Sequence, residues 1–135
     1  MWQDTGFGSK DFVGFLAAKD TATYLVYTLN ASAASPTWTV KQITGLSLND
    51  SVKFAYSSGN NTVYIATGSK MISWVVGTDT FAEVAVATDT PKDIVVSLDE
   101  NPVIWIAGQS GIFFSSDRTT FTQVKDYCSG VRGLS

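Results

Sequence analysis

The chain has no histidine and a single cysteine, Cys128, among its 135 residues. Without histidine it lacks the side chain that most often moves protons near neutral pH, so acid–base catalysis would rest on paired carboxylates. One cysteine excludes an intrachain disulfide. Together the two shortages remove the usual ligands of a transition metal, and neither metal nor cofactor is expected. Charge is also scarce: charged residues make up 16% of the chain, with a net charge of −3. Lysines and arginines number 9 in all and are spread along the sequence. Such a chain offers no basic surface to hold phosphates, so nucleic acid is not an expected partner. The longest apolar runs, such as Val103 to Ala107, are far too short to span a bilayer, and no basic segment with an apolar core marks a signal peptide.

Apolar residues, by contrast, make up 44% of the chain and aromatics 13%, the composition of a packed protein of one-domain size. Its strongest pattern is a repeat. Asn101 to Val124 restates Asn61 to Val84 at an offset of 40 residues: Asn61 meets Asn101, Val63 Val103, Gly68 Gly108, Ile72 Ile112, and Thr80-Phe81 meets Thr120-Phe121. A fixed period in this range marks units that cannot bury their apolar faces alone.

Short β-branched and aromatic runs separated by Gly, Asn, Asp, Ser and Pro predict four strands per unit and essentially no helix. The first unit spans about 1–44, the second 51–87 and the third 93–126, with 131–135 as the first strand of a further unit. The second strand of each unit (Phe12 to Ala18, Thr62 to Thr67, Val103 to Ala107) is apolar on both faces, as in a sheet covered on both sides. The expected class is therefore all-β and propeller-like: three four-stranded antiparallel blades plus one terminal strand. A β-sandwich is the main rival.

Gly108 to Val124 contains Gly-x-x-Gly-Ile-Phe-Phe-Ser-Ser-Asp-x-x-x-Phe-Thr-x-Val. It resembles the repeat of sialidase-type, Asp-box propellers, of photosystem II assembly-factor-like propellers and of bacteriophage structural proteins. The resemblance implies that Ser115, Asp117 and Phe121 fill the Ser, Asp and aromatic positions of an Asp-box, a structural turn between a blade's third and fourth strands. The turn here is one residue shorter, and Thr119 stands where the family has glycine.

Sialidase chemistry needs a cluster of arginines around the substrate carboxylate, whereas this chain has only Arg118 and Arg132. Asp99 and Glu100 are adjacent carboxylates in a predicted turn, where neighbours point apart. They remain candidate ligand contacts, together with Trp74 and Trp105. Trp38, Trp74 and Trp105 align with apolar positions of other units (Trp105 with Ile65, Trp74 with Phe114), which predicts core packing. Three blades cannot close a ring, so their outer faces call for further copies of the chain or further blades of a longer one. The expected function is a non-catalytic structural or binding module, in a phage virion or on a bacterial surface. Its expected partners are copies of itself or other virion or surface proteins. A carbohydrate-binding or glycan-hydrolysing propeller is the alternative.

Overall fold

The computed structural model describes residues 6–8, 11–44, 46, 52–67, 70–85 and 90–126, with only the backbone course for 6–8, 125 and 126. The further strand expected at 131–135, Cys128, Arg132 and Trp2 lie outside the described residues. Among the described residues every element is a strand, and the strands form three antiparallel sheets. The first is ordered β1 (Gly6–Gly8), β2 (Val13–Lys19), β3 (Ala22–Thr28) and β4 (Trp38–Ile43). The second is β5 (Lys53–Ser57), β6 (Thr62–Ala66), β7 (Lys70–Val75) and β8 (Ala82–Ala85). The third is β9 (Pro91–Val96), β10 (Ile104–Gly108), β11 (Gly111–Ser115) and β12 (Thr122–Asp126). Each sheet follows chain order, as short turns between antiparallel strands require. The chain divides into two compact units, Met1–Asn49 and Asp50–Ser135.

In the first unit the alternation of β2 and β3 sorts side chains onto two faces. Leu16, Leu25, Tyr27 and Ile43 are buried on one. The buried Thr23 hydroxyl on that side donates to the Leu46 carbonyl at 2.6 Å. The β2–β3 turn holds Asp20 at φ 58°, a left-handed position that Asp tolerates better than most residues.

In the second unit the two sheets share a core built from Tyr64, Ala66 and Met71 on one side and Ile94, Ile104, Ile106 and Phe113 on the other. The opposite face of the second sheet, with Val63, Ile65, Ile72 and Trp74, is equally closed to solvent. Both faces of β6 are thus buried, which explains its unbroken apolar run. The seam between the sheets is tightest where β5 and β9 end. Ser57 donates to the Ser97 carbonyl at 2.7 Å, and a Cβ added to Gly59 would lie 1.9 Å from the Asp99 carbonyl oxygen.

Backbone hydrogen bonds fix how these two sheets are oriented. Val76 donates to Asn61 and Thr67 to Lys70, so odd-numbered residues of β6 bond toward β7. Ser97 donates to Val103, so odd-numbered residues of β10 bond toward β9 and even-numbered ones toward β11. In L-residues the side to which the backbone bonds determines the face to which the side chain points. Ile104 and Ile106 therefore occupy the face that corresponds to Val63 and Ile65, and Trp105 the face that corresponds to Tyr64. The two sheets stack front to back.

This corrects the alignment at 40 residues. The turn between β9 and β10 is one residue longer than that between β5 and β6, and the turn after β11 is one residue shorter than that after β7. Between these two changes Tyr64 matches Trp105 and Ile72 matches Phe113, an offset of 41 residues. A one-residue slip moves each side chain to the other face.

Candidate functional site

The turn that carries Ser115, Asp117 and Phe121 begins where β11 ends. Ser115 is buried; its hydroxyl accepts the Arg118 amide at 2.8 Å and donates to the Asp117 carboxylate at 3.1 Å. One Asp117 oxygen also accepts the amides of Thr120 at 2.8 Å and Thr119 at 2.9 Å. Those two amides, Thr120's first, hold the Asp117 carboxyl well below the usual carboxylate range, opposed by desolvation and assisted by the Ser115 and Thr119 hydroxyls. Arg118 adopts φ 65°, so the left-handed residue lies just before Thr119. Its guanidinium donates to the carbonyls of Pro102 at 3.0 Å and Ser116 at 3.1 Å, tying this turn to the one between β9 and β10. Phe121 packs against the shared core. All the acceptor capacity described for Asp117 is directed at its own turn, which is a fold-building arrangement.

The first sheet carries a version of the same turn that sequence reading missed. Thr28, buried at the end of β3, donates to Asn30 Oδ1 at 2.8 Å, and that oxygen accepts the Thr37 amide at 2.9 Å. Thr28-x-Asn30 followed by Thr37-Trp38 does the work of Ser115-x-Asp117 followed by Thr120-Phe121 across a longer loop. In the second sheet the buried Trp74 takes the Ser115 position, and its indole N–H donates to the Thr78 carbonyl at 3.0 Å.

The four candidate ligand contacts do not converge. Trp74 is 1% exposed with Phe81 against it, so its ring has no face left for a ligand. Asp99 and Glu100 are exposed in the turn between β9 and β10, where Asp99 accepts the Asn101 amide at 3.1 Å. Trp105 is 37% exposed and packs against Phe114, with ring centroids 4.5 Å apart and ring planes tilted by 49°. Trp38, expected in the core, is 48% exposed beside Phe15.

These exposed rings mark the surface best suited to recognition. Register places Val95, Trp105, Ile112 and Phe114 on the face of the third sheet turned away from the shared core. Register likewise places Phe15, Val26, Trp38 and Val40 together on the open face of the first sheet. Tryptophan and phenylalanine on a half-open sheet bury large areas when covered, and contiguous apolar faces of this kind mark interfaces. Comparison with family models, with curated proteins and with solved structures gave no match.

Proposed function

We propose that the chain is a non-catalytic structural or binding module of the propeller-repeat type, working through protein–protein assembly in a phage virion or on a bacterial surface. One observation carries this reading: two sheets each turn an apolar, tryptophan-bearing face to solvent. Tryptophan is the residue most enriched at the energetic centres of interfaces, and flat apolar faces suit assembly better than the enclosure of a small substrate. Purified protein is expected to leave a panel of aryl glycosides intact. Hydrolysis at enzyme-like rates, lost on substitution of the Asp99 and Glu100 carboxylates, would refute the reading.

The half-exposed Trp105 gives the carbohydrate-binding alternative its specific support, because an accessible indole can stack on a sugar ring. Quenching of tryptophan fluorescence across a glycan array, abolished in Trp105→Ala, would establish it. Fluorescence unchanged throughout the array leaves assembly as the reading.

A further inference from the structure

Resting on the assembly reading, we propose that the outer face of the third sheet docks the open face of the first sheet of a second copy of this chain, head to tail. The argument starts from an interface already formed inside the molecule. The second sheet receives the third on the face that carries Tyr64, Ala66 and Met71. Because these two sheets stack front to back, the outer face of the third is the counterpart of that receiving face, with Trp105 in the position of Tyr64. It is the next receiving face in the series.

The first sheet supplies a surface to fill it. Phe15, Val26, Trp38 and Val40 form an apolar field of the same strand number. Charge agrees as well. Lys19 continues the open face of the first sheet at the β2–β3 turn, and Asp93 continues the outer face of the third near the β10–β11 turn. These are the corresponding ends of the two sheets, so parallel stacking brings opposite charges together. Four strands about 4.8 Å apart and five or six residues long span roughly 350 Å² per partner, or about 700 Å² per interface. One such contact is smaller than a standard interface, and a copy engaged through both faces doubles it to about 1,400 Å², within the standard range. A front-to-back contact is heterologous: it uses two different patches and continues until a ring closes.

Sedimentation velocity over roughly 1 to 100 µM, where a contact of that size forms, tests the proposal on the full chain. Wild type is expected to sediment as an oligomer. Trp105→Glu disables one face and Val40→Glu the other, and each variant alone is expected to sediment as a monomer with wild-type circular dichroism. Mixed in equal amounts, the two variants retain one intact pair of faces and are expected to form a heterodimer. A like-on-like contact would leave at least one variant self-associating and give no rescue on mixing. Monomeric wild type, or variants that remain oligomeric, overturns head-to-tail docking. Failure of the broader assembly reading has a separate readout, glycoside hydrolysis.

Discussion

Gly59→Ala is the sharpest test of the seam between the second and third sheets. The new Cβ would lie 1.9 Å from the Asp99 oxygen, 2.1 Å from its carbonyl carbon and 2.4 Å from the Leu98 oxygen, all backbone atoms that no rotamer change can move. Ordinary contact begins at 3.4 Å, so the two turns must part by about 1.5 Å. The neighbouring Ser57–Ser97 hydrogen bond, 2.7 Å long, would then exceed hydrogen-bonding distance and leave a fully buried hydroxyl without its acceptor. That loss costs about 1–3 kcal/mol, and strained packing adds a further 1–3 kcal/mol. Reduced freedom of the unfolded chain offsets at most about 1 kcal/mol. A net destabilisation of about 3 kcal/mol is expected, the centre of the ~1–5 kcal/mol that these ranges span. In urea, with m near 2 kcal/mol/M, the midpoint should fall by about 1.5 M at fixed protein concentration. Ser57→Ala removes the hydrogen bond without the clash and should cost about 1–2 kcal/mol, while the exposed Ser58→Ala should stay within about 0.5 kcal/mol. A Gly59→Ala midpoint no lower than that of Ser57→Ala would refute the close approach of the turns.

Ile106 is fully buried in the shared core, so Ile106→Ala should cost about 2–5 kcal/mol by the same assay, against less than about 0.5 kcal/mol for Leu98→Ala, whose side chain is exposed in the turn between β9 and β10. Because the folded state depresses the Asp117 pKa, the carboxylate adds stability above its unfolded value, near 4, and that stability is lost as pH falls through the folded value. Melting temperatures at pH 7 and pH 3 should therefore converge in Asp117→Asn relative to wild type, while Asp117→Ala should be the least stable at pH 7. Asn30→Ala leaves the Thr28 hydroxyl and the Thr37 amide without the shared oxygen and should lower stability by about 1 kcal/mol, read by thermal unfolding.

Much of the fold was legible because strands and turns are written locally. Asp20 at the β2–β3 turn and the glycines and asparagines between β-branched runs mark where the chain reverses, and the repeat joins the strands into four-stranded sheets. The facing of the third sheet was not legible. Val103 to Ala107 is apolar at each position, so its pattern does not say which residues point inward. The residue gained before β10 and the one lost after β11 cancel, and the repeat is restored at Phe121. An alignment anchored at both ends thus places Trp105 on Ile65, a fully covered position, when its counterpart is Tyr64. Trp105 was named as a candidate contact, but its alignment with Ile65 predicted core packing, and its exposure follows from the slip. Trp38 was misassigned differently. Its position opposite Thr28 puts it on the open face of the first sheet, a matter of tertiary burial that strand propensity does not encode.

The turn after each third strand indicates what the repeat maintains. Thr28 and Ser115 end β3 and β11, and Trp74 is the last residue but one of β7; all three are closed to solvent, and each bonds into the turn that follows. Their chemistry differs: two hydroxyls work with an Asn or Asp oxygen, and one indole donates directly to a carbonyl. The turn tolerates this exchange, since its requirement is one buried side chain that satisfies backbone groups where the sheet ends. The best-preserved motif in the chain thus serves the sheets. The sheets those turns close carry the open faces, Trp105 against Phe114 on the third and Trp38 beside Phe15 on the first.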